Sequence, residues 1–207
     1  MTYNPDEISS EKLFLLLDSI SKYVDIEINL YALGGTALTL LGIKKSTLDV
    51  DINIEKNKDY DYICNLFKEL GFEKKGAIRW ISQEGIAFDI FHGSYILGTE
   101  LLSDCLKLAS PIRSFGKINL FTLSLEDIII SKLSRGDNRD FDDIKLIFNK
   151  NSFNLQNLIK RYKLTMENSI VSQSKQKLLD LIEIKFKQWN IPIDEQILNE
   201  VKKWEPK

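Results

Sequence analysis

The chain has 207 residues, of which 43% are hydrophobic and 28% charged, and its formal net charge is −2. These values are ordinary for a globular protein, and they exclude intrinsically disordered, collagen-like and disulfide-scaffold proteins. No apolar run approaches the ~20 residues of a membrane span. Two distant cysteines and one histidine exclude a Cys-x-x-Cys zinc site and a multi-histidine metal site. We therefore expect a reduced, cytoplasmic protein with no membrane partner.

Charge is distributed unevenly along the chain. Residues 1–149 carry a net charge of −6, and residues 150–207 carry a net charge of +4. A basic C-terminal segment is compatible with a polyanionic partner, although a solvated helical face is the more common explanation for exposed lysines.

Hydrophobic spacing and turn residues divide the first 123 residues into alternating helices and strands. The predicted elements are, in chain order, a helix at 11–24, a strand at 28–33, a short helix at 36–41, a strand at 48–55, a helix at 58–70, a hairpin of strands at 78–82 and 86–91, a helix at 99–109, and a strand pair within 111–122. From residue 124 onward the pattern is helical throughout, with helices near 125–134, 139–149, 154–164, 171–189 and 193–204. We predict an α+β fold in which a small mixed or antiparallel sheet is flanked by helices (residues 1–123) and followed by a C-terminal helical region (residues 124–207).

The strand at 48–55 shows the clearest alternation in the chain. Apolar side chains are predicted on one face and polar side chains on the other, so we expect the strand to be half-buried. The apolar set is Leu48, Val50, Ile52 and Ile54, and the polar set is Asp49, Asp51, Asn53 and Glu55.

Asp49 and Asp51 are candidate metal ligands. Two residues apart on a strand, their carboxylates share a face and lie about 7 Å apart along it. Carboxylate oxygens suit Mg²⁺, and two such ions ~4 Å apart can activate an attacking oxygen and neutralise a leaving pyrophosphate. A solvated acidic strand face is the common alternative for such a pair.

Two further features strengthen this interpretation. Gly34-Gly35-Thr36 lies where a strand ends and a helix begins, a position that favours a phosphate, although such a turn is often purely structural. Asp89 lies on a second predicted strand between Phe88 and Ile90. A carboxylate there is costly to bury unless it is paired or metal-bound, and a solvent-exposed hairpin position is its alternative.

The order Gly34-Gly35-Thr36, Asp49-Val50-Asp51, Asp89 resembles the DNA polymerase β-like nucleotidyltransferase superfamily. Members carry a glycine turn and helix, then a D-x-D strand, then a third carboxylate on a later strand. The resemblance implies that Asp49, Asp51 and Asp89 bind Mg²⁺ or Mn²⁺ and are catalytic. It also implies that the glycine turn binds the nucleotide.

The segment LSLEDIIISKLSRGDNRDFDDI narrows the resemblance to minimal nucleotidyltransferases of the AbiEii type, which occur in toxin–antitoxin loci. By that resemblance Lys132 contacts the nucleotide phosphates. Arg139, Asp140 and Asp143 would occupy the last motif, with Arg139 and Asp140 near the nucleotide and Asp143 among the catalytic residues. A surface lysine and a solvated first helical turn are the plain alternatives.

One departure from the superfamily pattern concerns the helix after the glycine turn. Thr36 is followed by the apolar residues Ala37 and Leu38, so this helix supplies no cation. Phosphate neutralisation would then depend on Lys132, on the lysines at 44 and 45, or on the metal ions.

The resemblance favours an enzyme that transfers a nucleoside monophosphate from an NTP, for example ATP, to a hydroxyl on RNA (tRNA included), on protein or on a small molecule. A role in a toxin–antitoxin pair with a cognate antitoxin is expected. A catalytically inactive antitoxin or binding module is the main alternative, and an antibiotic adenylyltransferase is a weaker one. Four lysines of the predicted helix at 171–189 are candidate RNA contacts: Lys175, Lys177, Lys185 and Lys187.

Overall fold

A computed structural model describes residues 7–206, and these form two compact units. The first unit contains the residues up to Ser94 together with Asp104–Ser124. The second unit contains Tyr95–Ser103 and the chain from Leu125 onward. The sequence indicates the change near residue 124, but it gives no sign that the segment Tyr95–Ser103 joins the C-terminal unit.

The first unit is an α+β domain, as predicted. Its helices are α1 (Ser10–Ser21), α2 (Gly34–Leu40) and α3 (Asn57–Glu69). Its strands are β1 (Ile28–Ala32), β2 (Val50–Ile54), β3 (Glu73–Lys74), β4 (Arg79–Ile81), β5 (Ala87–His92), β8 (Ser110–Phe115) and β9 (Ile118–Thr122). The predicted hairpin of strands at 78–82 and 86–91, with its turn at 83–85, and the predicted strand pair within 111–122 are both confirmed.

These seven strands form one mixed sheet in the order β3-β4-β5-β2-β1-β9-β8. The pairs β2–β5 and β1–β9 are parallel, and the other neighbouring pairs are antiparallel. β2 therefore lies inside the sheet, hydrogen-bonded to β5 on one side and to β1 on the other.

One face of this sheet is apolar and packs against two helices. Leu17 and Ile20 of α1 and Ile63 and Phe67 of α3 meet the alternate side chains of the central strands. Those strand side chains are Leu30, Ile52, Ile54, Phe88, Ile90 and Ile118. Because side chains alternate along each strand, the residues between them, including Asp51 and Asp89, point from the opposite face.

The prediction of a half-buried strand at 48–55 is wrong in one respect. All five residues of β2 are buried, the polar ones included, whereas Leu48 lies before the strand and is 47% exposed. Alternation identifies which side chains share a face, but it does not show whether that face is covered. Asn53 is fully buried, and its amide makes no hydrogen bond within the described part of the chain.

The helix predicted at 99–109 is also wrong. Thr99–Glu100 is strand β7, which pairs with β6 (Tyr95–Ile96) in a two-stranded sheet of the second unit. Leu97 and Gly98 between them have φ values of 52° and 82°, which suit a tight hairpin turn. Leu101 and Cys105 are buried in a turn-rich segment whose two parts belong to different units.

The second unit is helical apart from the β6–β7 hairpin. Its helices are α4 (Leu125–Arg135), α5 (Asn138–Lys150), α6 (Leu155–Asn168), α7 (Ser174–Leu179), α8 (Phe186–Trp189) and α9 (Glu195–Lys203), and a π-helical segment, Asp180–Lys185, joins α7 to α8. The apolar faces of α4, α6 and the α7–α8 segment share one core around Leu133, Tyr162 and Phe186. Among the described residues, no helix is long and apolar enough to cross a membrane.

Candidate active site

Three aspartates of the first unit form a compact acidic cluster, which we call the triad: Asp49, Asp51 and Asp89. Asp51 and Asp89 are directly opposite each other on the parallel strands β2 and β5, and Asp49 immediately precedes β2. One carboxylate oxygen from each residue lies within 4.8 Å of those of the other two. The Asp49 side chain is 36% exposed and that of Asp89 is 11% exposed, so the cluster is open to solvent on the Asp49 side.

The triad's donor set fits a divalent cation. Oxygen ligands of one Mg²⁺ are at most ~4.2 Å apart, because the Mg–O distance is ~2.1 Å. The three triad oxygens lie within 4.8 Å of one another, and rotation of the aspartate side chains can bring them closer together. Carboxylate oxygens are also the ligands that Mg²⁺ and Mn²⁺ prefer. The cluster could therefore hold a metal ion.

Thr36 at the start of α2 fixes the backbone that carries two triad residues. Its hydroxyl donates to the carbonyl oxygen of Asp49 at 3.1 Å and accepts from the backbone N–H of Asp51 at 2.9 Å. The Thr36 side chain is fully buried. Thr36, which the sequence predicts as a nucleotide contact, makes hydrogen bonds that position Asp49 and Asp51.

The two glycines before Thr36 permit a close packing of the turn. Gly34 has a φ of 50°, in the left-handed region that favours glycine. A Cβ on Gly35 would lie 2.7 Å from the hydroxyl oxygen of Thr47, which is too close without a shift. The turn therefore requires small residues for structural reasons, independently of any nucleotide.

Arg79 binds the triad directly. Its Nε donates to Oδ1 of Asp89 at 2.7 Å, and its Nη2 donates to Oδ2 of Asp89 at 2.6 Å and to Oδ2 of Asp49 at 3.3 Å. The hydrogen bond and charge of Asp89 raise the pKa of the Arg79 guanidinium, which stays protonated. A single arginine thus offsets part of the charge of three clustered carboxylates.

Arg79 was not among the predicted site residues, but the sequence carries a signal for it. The turn predicted at residues 83–85 pairs positions symmetrically about residue 84, and this places residue 79 opposite residue 89. The structure has this register, Arg79 with Asp89. Residues directly opposite on antiparallel strands share a face, so the hairpin alone predicts the contact.

A second ionic cluster, which we call the motif cluster, lies within the second unit and contains Lys132, Arg135, Asp140 and Asp143. The Lys132 ammonium is 2.6 Å from Oδ2 of Asp143 and 3.2 Å from Oδ1 of Asp140. Arg135 pairs with both oxygens of Asp140, at 2.6 and 3.0 Å. Lys132 is 2% exposed, so the predicted phosphate contact is a buried partner of two aspartates.

Asp140 is ionised in this cluster despite its burial. Burial acts to raise the pKa of Asp140, but the hydrogen bond from Arg135 and the charges of Lys132 and Arg135 outweigh it. The pKa of Asp140 consequently lies below its usual value. Arg139, the neighbouring residue of the predicted motif, is exposed on the first turn of α5.

Three of the four lysines considered for RNA contacts have partners inside the second unit. Lys175 pairs with Glu205 at 2.6 Å, and Lys177 donates to the carbonyl of Ser134. The Lys185 ammonium lies 4.9 Å from the centre of the Phe141 ring. Such contacts do not prevent phosphate binding, but they explain the lysines without it.

Comparisons of this chain with known protein families and solved structures agree with the acidic geometry of the triad. Residues 11–191 match the model of a protein family described as "Nucleotidyltransferase of unknown function (DUF6036)". Among solved structures, TM1012 from Thermotoga maritima, provisionally assigned as a nucleotidyltransferase, is 17% identical with a TM-score of 0.45; the match covers 72% of this chain and 100% of that chain. No curated protein matches. Because the family model spans most of the sequence, the chain belongs to this DUF6036 family of nucleotidyltransferases.

Proposed function

We propose that the protein transfers a nucleoside monophosphate from an NTP to a hydroxyl acceptor in a reaction that requires divalent metal. The observation that carries this proposal is the triad, with one oxygen from each of Asp49, Asp51 and Asp89 within 4.8 Å of the others. Membership of a nucleotidyltransferase family supports the reaction class.

The three aspartates have distinct roles in this proposal. Asp49 and Asp51 would hold two divalent ions, Mg²⁺ or Mn²⁺, and Asp89 would help to hold one of them and orient the attacking hydroxyl. The ions, when bound, lower the pKa of that hydroxyl and neutralise the leaving pyrophosphate. The hydroxyl oxygen attacks the α-phosphorus from the side opposite the leaving pyrophosphate. The bond between the α-phosphorus and the pyrophosphate breaks as the bond to the hydroxyl oxygen forms.

The glycine turn supplies backbone donors for the nucleotide. The first N–H groups of a helix have no acceptor within the helix, so those of Gly34 and Gly35 are suited to a phosphate oxygen. The Thr36 hydroxyl supports the site indirectly, through the backbone of Asp49 and Asp51.

The contacts within the motif cluster indicate what its residues do in this proposal. A direct phosphate contact by Lys132 requires it to leave Asp143, which is 2.6 Å away. We therefore assign Lys132, Asp140 and Asp143 a role in holding α4 against α5. Arg139, which is exposed and is not part of the motif cluster, keeps its predicted role as a nucleotide contact in this proposal.

The acceptor that we propose is RNA, with tRNA as the first candidate, or a protein. A toxin function with a cognate antitoxin rests on the resemblance of the segment LSLEDIIISKLSRGDNRDFDDI to AbiEii-type enzymes. Both follow from sequence resemblance and go beyond membership of the family.

The reaction class is tested by incubating the protein with total tRNA or cell lysate and each NTP, labelled with ³²P at either the α- or the γ-position. The proposal predicts that label moves to a macromolecule from the α-position only, that Mg²⁺ or Mn²⁺ is required, and that EDTA stops it. Transfer of the γ-label would indicate a kinase instead. An absence of transfer with all four NTPs would favour a catalytically inactive binding module.

A further inference from the structure

Arg79 is held at the triad by its strand. Its Cα is paired with that of Asp89 across β4 and β5, and its carbonyl accepts from the N–H of Lys75 at 2.8 Å. The backbone of Arg79 is therefore fixed beside the acidic cluster. The side chain is 45% exposed, so the guanidinium has room to change its partners while its Cα stays in place.

The guanidinium uses carboxylate oxygens that a metal ion would also need. It bonds both oxygens of Asp89 and one oxygen of Asp49. A divalent cation bound by these two aspartates would be repelled by the guanidinium at this short range. Arg79 and the metal ions therefore compete for the same two side chains.

A displaced Arg79 would remain beside the triad, and divalent ions held by such carboxylates also bind the phosphates of a nucleotide. The helix after the glycine turn has no cationic side chain, and Lys132 is bound to Asp140 and Asp143 within its own unit. An arginine binds phosphate oxygens through two parallel N–H donors, which makes it well suited to this role.

We propose that Arg79 is a phosphate-binding cation of this site and exchanges between two partners. Without metal its guanidinium binds Asp89 and Asp49; when metal occupies those carboxylates, the guanidinium moves to the phosphates of the NTP. The inference rests on the proposed function, because it requires that the triad bind metal and that the site bind a nucleoside triphosphate.

Opposite effects on two binding constants test this exchange. Arg79→Gln removes the competitor of the metal and also the partner of the phosphates. We expect it to tighten Mn²⁺ binding by roughly tenfold without nucleotide, and to weaken binding of a nonhydrolysable α,β-methylene NTP at saturating Mn²⁺ by roughly tenfold. Both constants are measured by isothermal titration calorimetry on the full chain.

Two further variants make the measurement specific. Arg79→Lys keeps the charge but loses the paired N–H donors. Its dissociation constants for Mn²⁺ and for the nucleotide analogue should each lie between those of the wild type and of Arg79→Gln. Arg113→Gln removes an exposed arginine of β8, the strand at the far end of the sheet, whose guanidinium lies over the rings of Phe14 and Phe115. It should match the wild type in both titrations.

The results separate this inference from the proposed function. If Arg79→Gln weakens the binding of both Mn²⁺ and the nucleotide analogue, Arg79 merely positions Asp89, and the exchange is overturned. The exchange is also overturned if either constant matches that of Arg113→Gln. A wild-type protein that binds neither Mn²⁺ nor the analogue, alongside variants that bind neither, contradicts the proposed function itself and the exchange with it.

Discussion

Replacement of Lys132 by methionine distinguishes a structural lysine from one that binds nucleotide. Lys132 is 2% exposed, and its ammonium is bonded to Asp143 and Asp140 at 2.6 and 3.2 Å. Methionine fills a similar volume but leaves both aspartates without this cation. Asp140 keeps its two bonds to Arg135.

The expected cost follows from burial. Removing one partner of a buried ion pair destabilises a protein by about 3–5 kcal/mol, because a charge is left uncompensated. For a chain of this length that corresponds to a Tm decrease of roughly 6–20 °C. Lys145→Met, which changes an exposed lysine on α5, should stay within about 0.5 kcal/mol of the wild type.

The assay is urea unfolding of Lys132→Met, Asp143→Asn and the double variant at pH 7. Because the two residues are in direct contact, the double variant should be destabilised by clearly less than the sum of the single variants. The reasoning is refuted if Lys132→Met costs under ~1 kcal/mol and the two losses are additive. Weakened binding of an NTP analogue by that still-stable variant would assign Lys132 to the nucleotide instead.

Three further predictions concern local geometry and charge. Thr36→Val leaves the backbone N–H of Asp51 without its hydroxyl acceptor and should cost about 1–3 kcal/mol of unfolding free energy in thermal denaturation, whereas Thr36→Ser should largely preserve stability. Gly35→Ala should lower the free energy of unfolding by about 1–3 kcal/mol through overpacking. Adding Thr47→Ala to the Gly35→Ala variant should recover much of this loss, because the contact at 2.7 Å is to the Thr47 hydroxyl. Folding lowers the pKa of Asp140. Its contribution to the free energy of unfolding is therefore fully present above the pKa of the unfolded state, and it is lost as the pH falls through the pKa of the folded state. Asp140→Asn should therefore lose more stability at pH 7 than at pH 3 in urea unfolding, and an equal loss at both would contradict this.

The sequence predicted the elements that carry the triad because each has a strong local signal. Asp49 and Asp51 lie on the most regular alternation in the chain, and Asp89 lies in a hairpin with a clear turn. The structure brings all three together, since β2 and β5 are parallel neighbours. That adjacency is a property of sheet topology, which periodicity along one strand does not contain.

Long-range contacts account for what the sequence did not predict. The Thr36 hydroxyl bonds residues 13 and 15 positions away, and its partners depend on how α2 meets β2. The burial of Lys132 depends on α5 folding back onto α4, which brings residues 8 and 11 positions later to its ammonium. The false helix at 99–109 covers the change from one unit to the other, where buried side chains satisfy no single periodicity.

Transfer of α-³²P label from NTP by Asp51→Asn, compared with the wild type, tests most directly whether the triad carries the activity. Asparagine is nearly isosteric and removes one charge from a repulsive cluster, so this variant should fold and be at least as stable as the wild type. The proposed function predicts that transfer by Asp51→Asn falls by at least about a hundredfold, in the range found when a group acting at the reaction centre is removed. Asp61→Asn, an exposed aspartate on α3, should retain wild-type transfer. Wild-type transfer by a folded Asp51→Asn protein would contradict the assignment of the triad as the catalytic metal site.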